Sequence, residues 1–175
     1  MDCIFFYDKN GDYFELSNFY EHQTPLLYDN KQYKTSEHLY HASKYLHDDE
    51  NHINLKYADI IRTSKTPYMA KILANKMIMY QYPWQKKLNE IIMNYTNTSQ
   101  NENWEEQKIQ TMYNILIIKF TQDLHCKKVL LSTGNKYLIE NSKRDSFWGI
   151  GKDGKGKNML GELLVKVRDE IRESM

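Results

Sequence analysis

The residues SEHLYHASKY, 36–45, hold the side chains best suited to chemistry. At about 100° per residue, a helix here projects Glu37, His41 and Lys44 from one face. Asp48 follows on the same face. A carboxylate that transfers protons would then stand beside an amine that can act as a nucleophile or stabilise charge. An ordinary solvated face is the alternative interpretation, because surface helices also carry spaced charges of opposite sign.

A second candidate is the segment 144–161, RDSFWGIGKDGKGKNMLG, which holds five of the seven glycines. It matches G-x-G-x-x-G and comes within one residue of the phosphate-loop pattern G-x-x-x-x-G-K-[ST]. A dinucleotide-binding fold is disfavoured because a single helix fits between this segment and Met175. The phosphate loop is disfavoured because Asn158 replaces the Ser or Thr that binds Mg²⁺. An anion site at a helix N-terminus and a plain exposed loop both stay open.

Other site chemistries have little support. His38 and His41 lie three residues apart, but there is no H-E-x-x-H motif, so we predict no metal. Cys3 and Cys126 form no C-x-x-C and lie outside catalytic cysteine signatures, and no serine lies in G-x-S-x-G. We therefore expect neither a cofactor nor a serine or cysteine hydrolase.

The overall composition limits the class of protein. The chain has 175 residues, with 24 basic against 23 acidic side chains, so no global basic field favours non-specific nucleic-acid binding, although a local groove stays open. Two cysteines without a disulfide pattern fit a reducing compartment. No apolar run approaches the ~20 residues that span a bilayer. We expect one cytoplasmic domain over 1–175, with no membrane contact and no obligate protein partner.

Hydrophobic periodicity and turn signals predict the elements that position these residues. Two short N-terminal hairpins should turn at Asn10-Gly11 and Asp29-Asn30, because these residues tolerate positive φ. Helices are predicted over 36–47, 55–62, 67–79, 84–95 and 129–131, with a long helix capped by Asn103, a strand at KYLIE and a final helix capped by Asn158. The predicted fold class is α+β and helix-rich.

Five separated segments together resemble the NADAR, or YbiA-like, family. They are LSNFY at 16–20, YKTSEHLYHASKY at 33–45, NWEEQKIQTMYNILIIKF at 103–120, LLSTGNKYLIENSKRDSFWGIG at 130–151 and GKNMLGELLVKVRDEIR at 156–172. The resemblance spans nearly the whole chain and keeps the family's motif order. It implies an α+β fold and cleavage of N-glycosidic bonds. Some members act on ribosylamino intermediates of riboflavin synthesis, and others remove ADP-ribose from guanine in DNA.

The resemblance also implies roles for individual residues. Glu37 becomes the acidic catalytic residue, Lys44 an amine that can form a Schiff base with ribose C1′, and Asp145 a further catalytic residue. Trp104 and Trp148 are candidates for stacking on a base, although Trp104 also fits the apolar stripe of its helix. The full set of expected substrate-contacting residues is Ser17, Asn18, Phe19, Trp104, Trp148, Gly149, Gly151 and Asn158.

The proposed chemistry suits these residue types. Cleavage of a ribosyl C1′–N bond passes through an oxocarbenium-like transition state that a carboxylate stabilises. An amine near C1′ adds a covalent route. Because an ion pair with Glu37 would keep Lys44 protonated, that route requires a partly dry pocket and predicts a lowered pKa for Lys44.

One departure from the family and two rival functions stay open. Many members carry a Gly-Arg pair in the region that here reads AKILANKMIMYQYPW. Arg62, Arg144 or Lys71 could supply the phosphate contact instead. The first rival is a non-catalytic module that binds ADP-ribose or NAD. The second is a nucleic-acid binder, which the near-zero net charge disfavours as the sole function.

Overall fold

Helices dominate the computed structural model, which describes residues 2–47 and 52–174; Asp48 lies outside them. The helices are α1 Ser36–Ser43, α2 His52–Arg62, α3 Pro67–Ala74, α4 Gln85–Asn94, α5 Trp104–Gln122, α6 Leu124–Ser132 and α7 Met159–Glu173. The strands are β1 Cys3–Phe6, β2 Leu26–Tyr28, β3 Lys31–Tyr33 and β4 Tyr137–Glu140, and a short 3₁₀ helix spans Phe14–Leu16. These elements confirm the predicted α+β, helix-rich class.

The chain divides into two compact units. The terminal unit comprises Met1–Thr24 and Tyr113–Met175, and the central unit comprises Pro25–Met112. Over the described ranges, every helix is too short or too polar to cross a bilayer.

In the terminal unit, β1 pairs in parallel with β4, with Cys3 opposite Tyr137 and Phe6 opposite Glu140. The predicted hairpin at Asn10-Gly11 is therefore wrong. Parallel strands cannot be joined by a tight turn, and the residues after Gly11 form the 3₁₀ helix instead of a returning strand. Helix α7 packs on β4, and its apolar stripe is buried as its helical spacing predicted.

In the central unit, β2 and β3 form the second predicted hairpin. Asp29 and Asn30 have φ values of 48° and 56°, which is the geometry of a two-residue type I′ turn. This prediction is confirmed. The hairpin leads into α1, whose N-cap Thr35 accepts a hydrogen bond from the backbone N–H of His38.

Helices α1 and α3 both end earlier than their sequence patterns predicted. After Ser43 the N–H groups of Tyr45 and Leu46 donate to carbonyls three residues back, so the last turn tightens and α1 ends. The carbonyl of Lys44, the C-cap of α1, accepts a 2.8 Å hydrogen bond from the N–H of Asn101. Helix α3 ends at Ala74, and Lys76 then takes a left-handed φ of 49°. Helix α6 is longer than predicted, because Asp123 caps its N-terminus by accepting from the N–H of Cys126. Gly134, with φ 60°, follows its C-terminus as predicted.

Candidate active site

The charged face of α1 is buried. Glu37, His41 and Lys44 are 8%, 3% and 7% exposed, so the interpretation as a solvated face is wrong. Helix α1 packs against both α2 and α3, and its apolar residues Leu39 and Ala42 are buried as well. Buried ionisable side chains are costly unless they are paired, so their partners decide what this face can do.

Glu37 is paired with His41 one helical turn later. His41 Nε2 lies 2.9 Å from Glu37 Oε1. Burial alone would raise the pKa of Glu37, but His41 and the ammonium groups of Lys71 and Lys44 outweigh it, so the pKa lies below its ordinary value. Glu37 is therefore a carboxylate at neutral pH.

Lys44 is held by a neutral partner rather than by Glu37. Its Nζ donates a 2.6 Å hydrogen bond to Asn75 Oδ1. The same Nζ lies 5.6 Å from the centre of the Trp104 ring and 5.8 Å from that of Tyr40. Burial lowers the pKa of Lys44 to about 8, although Glu37 and other acidic groups act in the opposite direction. The predicted lowering is confirmed, and a useful fraction of this amine is neutral near physiological pH.

Helix α3 contributes two groups to this site, of which the sequence analysis named only Lys71, as a possible phosphate contact. Asn75, at the end of α3, binds Lys44, and half-buried Lys71 adds positive charge near Glu37 and Lys44. His41 was placed on the same helix face as Glu37 and was considered as a metal ligand, but its hydrogen bond to Glu37 was not predicted, although their i, i+4 spacing was a signal for it. Asn75 had no such signal, because it is 31 residues from Lys44.

The predicted site residues at the start of the chain lie in the terminal unit. Ser17 and Asn18 are buried, whereas Phe19 is partly exposed. The Ser17 carbonyl accepts a 2.8 Å hydrogen bond from Lys119 Nζ, and Ser17 Oγ accepts from the N–H of Phe19. Lys119 is fully buried, and this burial lowers its pKa to about 8. These contacts hold the S-N-F motif in one conformation.

Asp145 shapes the loop that carries Trp148. Its Oδ1 accepts hydrogen bonds from the backbone N–H groups of Phe147, at 2.9 Å, and Trp148, at 2.8 Å. The Trp148 ring is half-buried and stands edge-on to Phe147 at 5.0 Å. Asp145 thus fixes the backbone on which Trp148 is presented.

The N-terminus of α7 is not open to an anion. The backbone N–H groups of Asn158, Met159 and Leu160 all donate to carbonyls of the preceding loop, each at 3.1 Å. The expectation of an anion site there is therefore wrong, because the amides that it needs are already paired. Nor does the Asn158 side chain cap α7: its Nδ2 donates to the Leu138 carbonyl, and its Oδ1 accepts from the N–H of Glu140. Asn158 therefore fastens the loop to β4.

The glycines of this loop allow its backbone to approach β4 closely. A Cβ on Gly149 would lie 2.8 Å from the Glu140 carbonyl oxygen, which is closer than van der Waals contact permits. Gly151 has a φ of 69°, in the left-handed region. The glycine spacing is thus explained by loop packing and backbone conformation.

One group of potential metal ligands occurs among the described residues. His22, Asp123 and Cys126 of the terminal unit have ligand atoms within 4.8 Å of one another. Asp123 already accepts hydrogen bonds from His22 Nδ1, at 2.7 Å, and from the N–H of Cys126. Lys119 acts electrostatically on both His22 and Cys126, and its positive charge opposes a bound cation. We assign no metal to this group.

The structure thus groups the predicted site residues in two sets. Glu37, Lys44 and Trp104 lie together in the central unit. The others, in the terminal unit, are Ser17, Asn18, Phe19, Asp145, Trp148, Gly149, Gly151 and Asn158.

The sequence and the fold of this chain are similar to those of known proteins. The NADAR domain model matches residues 5–172. The N-glycosidase YbiA of Escherichia coli strain K12 is 34% identical over 168 residues, covering 96% of this chain and 88% of YbiA. The chloroplastic riboflavin biosynthesis protein PYRR of Zea mays is 34% identical over 177 residues, covering 97% of this chain and 25% of PYRR. The NMR structure of E. coli YbiA matches with a TM-score of 0.73 at 32% identity, covering 99% of this chain and 86% of that chain.

Proposed function

The chain belongs to the NADAR domain family and is a hydrolase of N-glycosidic bonds, and we propose that the bond it cleaves joins a nitrogen base to C1′ of a ribose. Glu37 and Lys44 of α1 are the proposed catalytic residues. The observation that carries this proposal is a buried carboxylate and a buried amine of lowered pKa on one helix face. Strongly perturbed, buried ionisable groups of this kind are typical of functional sites.

Glu37 supplies negative charge to the transition state. As the C1′–N bond breaks, positive charge develops on C1′ and the ring oxygen of the ribose. A carboxylate that is already ionised and held by His41 needs no reorganisation to stabilise this charge. Its lowered pKa makes Glu37 unsuitable as the proton donor to the departing base.

Lys44 supplies a covalent route. The neutral amine attacks C1′, and the bond from C1′ to the base breaks. The ammonium formed in this step gives a proton to the departing nitrogen. As the ribose ring opens, O4′ takes a proton from a water molecule, which leaves an iminium between Nζ and C1′ and a hydroxide. The hydroxide adds to C1′, and collapse of this adduct releases the sugar and restores the amine. The net reaction consumes one water, as hydrolysis requires.

Two substrate classes fit this chemistry. A ribosylamino pyrimidine is supported by the name of PYRR, a riboflavin biosynthesis protein with which the chain shares 34% identity. ADP-ribosylated guanine in DNA follows from the family resemblance. The ADP-ribose of the second class carries phosphate. Arg62 is engaged by Asp59 and the Gln32 carbonyl, which favours Lys71 over Arg62 as the phosphate contact in the central unit.

The residues of the terminal unit have proposed roles that rest on the resemblance. Ser17, Asn18, Phe19 and Trp148 are proposed to contact substrate, and Asp145 to be a further catalytic residue. Asn158 is better explained as a support of the loop, since both ends of its amide are bonded to β4. A cytoplasmic location stays a prediction.

The test offers the protein both substrates and follows the released base by mass spectrometry. One is a DNA oligonucleotide carrying ADP-ribosylated guanine, and the other is a ribosylamino pyrimidine. We expect Glu37→Gln to lower kcat by about 100-fold or more on the substrate that is turned over. Glu90→Gln is the matched control, because Glu90 is an exposed carboxylate on α4. Circular dichroism checks that each variant is folded.

Three outcomes would contradict the proposal. The first is that the unmodified protein releases base from neither substrate, and tight binding of ADP-ribose without release would then favour the non-catalytic module. The second is an undiminished rate in Glu37→Gln. The third is a borohydride-trapped sugar adduct on a lysine other than Lys44.

A further inference from the structure

We infer that His41 is the positioning residue of Glu37: as a neutral imidazole it donates one hydrogen bond to Oε1 of Glu37, fixes the carboxylate and leaves Oε2 for the substrate. This inference rests on the proposed function of Glu37. It assigns His41 no contact with substrate, so its effect is exerted through Glu37 alone.

The two side chains are paired within one helix. They lie at i and i+4 of α1, and His41 Nε2 is 2.9 Å from Glu37 Oε1. The side chains are 4% and 10% exposed, so water screens the interaction poorly. The His41 ring also stands edge-on to Tyr40 at 5.3 Å, which restricts its rotation. A donor held in this way fixes the orientation of the carboxylate.

The hydrogen-bonding pattern of the ring decides its protonation state. His41 Nδ1 is buried and has no hydrogen-bond partner among residues 2–47 and 52–174. A protonated ring would bury a second N–H at Nδ1 without an acceptor, which is costly. Burial lowers the pKa of His41, in agreement with this argument. The ring is therefore neutral, with its hydrogen on Nε2 and a lone pair on Nδ1.

Other charged groups act on the pair from two helices. Lys44 lies on the same helix, and Lys71 faces the pair from α3. Glu105 and Lys108, on α5, act on Lys44. The lysines favour the ionised form of Glu37 but do not orient it, because the hydrogen bond that Glu37 accepts comes from His41. Removal of that donor should therefore change both the position of the carboxylate and the pH at which it loses its charge.

The test compares His41→Leu, which cannot donate, with His41→Gln, whose amide can donate to Glu37. The readout is the pH profile of kcat on the substrate that the unmodified protein turns over. The profile has two steps on its acid side: Lys44 becomes protonated near pH 8, and Glu37 becomes protonated at lower pH. We expect His41→Leu to lower kcat by about 10- to 100-fold, with little change in KM, and to move the Glu37 step, called the acid limb below, to higher pH. His41→Gln should restore most of the rate and return the limb toward its original position.

His38→Leu is the matched control. His38 is also buried in α1, but it pairs with Thr35 Oγ1 and the Ser64 carbonyl instead of Glu37. This variant should lose stability without moving the acid limb. A His41→Leu variant that keeps both its rate and its acid limb, while Glu37→Gln is inactive, would overturn the inference and leave the proposed function intact. Absence of turnover by the unmodified protein would instead count against the proposed function.

A second measurement does not depend on activity. Long-range ¹H–¹⁵N spectra of histidine-labelled protein at neutral pH should show the hydrogen of His41 on Nε2 and none on Nδ1. In Glu37→Gln the His41 signals should shift more than those of His38, because His38 is hydrogen-bonded to Thr35 and Ser64 rather than to Glu37. A doubly protonated His41 ring, or a hydrogen on Nδ1 alone, would contradict the inference.

Discussion

Lys44 Nζ lies 2.6 Å from Asn75 Oδ1, so the proposed nucleophile is bound by a neutral amide, while Glu37 pairs with His41. This division matters because a carboxylate in direct contact with Lys44 would favour its protonated form. The amide accepts a hydrogen bond without adding negative charge, and burial can then lower the pKa of Lys44 to about 8. The structure thus gives the direct hydrogen bond of the amine to Asn75, while the charge of Glu37 acts on it only at longer range.

Replacement of Asn75 by Asp tests this arrangement with almost no change in shape. A carboxylate in contact with the ammonium should raise the pKa of Lys44 by about 1 unit or more. The rate at which Lys44 forms its covalent sugar adduct at neutral pH should fall accordingly. The measurement is the pH at which the rate of cyanoborohydride trapping of the sugar on Lys44 reaches half its maximum. Asn89→Asp, on α4, is the control. An unchanged midpoint in Asn75→Asp would show that Asn75 does not set the charge of Lys44.

The pH dependence of trapping in the unmodified protein follows from the lowered pKa of Lys44. A lysine with a pKa of about 8 becomes neutral as the pH rises through 8, and the neutral amine is the form that attacks. The initial trapping rate should increase about tenfold between pH 7 and pH 9 and then level off. Mass spectrometry of the reduced adduct gives this rate. A rate that keeps rising to pH 10.5, the ordinary value for lysine, would contradict the lowered pKa.

Lys119 is expected to stabilise the terminal unit in a pH-dependent way. Lys119→Met leaves the Ser17 carbonyl without its donor and should lower the free energy of unfolding by about 3 kcal/mol. The pKa of Lys119 is about 8 in the folded protein, against an ordinary value of 10.5. Between these two pH values the unfolded chain binds more protons than the folded chain, so the contribution of Lys119 to the free energy of unfolding grows with pH. The decrease in the free energy of unfolding caused by Lys119→Met should therefore grow by about 1–2 kcal/mol between pH 7.5 and pH 9.5.

Urea unfolding of the mutant and the unmodified protein at each pH measures this difference, since the buried tyrosines titrate in both and cancel. Lys128→Met is the control, because Lys128 is an exposed lysine on α6. A loss that shrinks as the pH rises would contradict the sign of the shift.

Gly161 is expected to be the least replaceable glycine of the loop and α7. A Cβ at this position would lie 2.0 Å from the Leu138 carbonyl oxygen and 2.4 Å from the side-chain Nδ2 of Asn158. Gly161→Ala should therefore destabilise the protein by about 3 kcal/mol or more, against the usual preference of helices for alanine. At Gly154 a Cβ meets nothing within 4 Å, so Gly154→Ala should cost only the roughly 1 kcal/mol of a left-handed φ. Thermal unfolding compares the two variants, and equal losses would contradict the contact with β4.

Features that depend on neighbouring residues could be read from the sequence. The turn at Asp29-Asn30, the start of α1 at Ser36 and the apolar stripe of α7 were all predicted, because turn type and helical spacing depend on residues a few positions apart. The same local spacing placed Glu37 and Lys44 on one face of a helix. It could not determine whether that face was solvated or buried.

Features that depend on contacts between residues far apart in the sequence were determined only by the tertiary structure. Strand β1 pairs with β4 from the far end of the chain, which is why the Asn10-Gly11 signal misled. The loop before α7 occupies the helix amides with its own carbonyls, which removes the anion site that the glycines suggested. Packing of α3 on α1 buries Lys44 and brings Asn75 to it, and this desolvation lowers the pKa of the amine. Local sequence thus determined which side chains share a face, and long-range packing determined their charge, because desolvation depends on everything that surrounds a side chain.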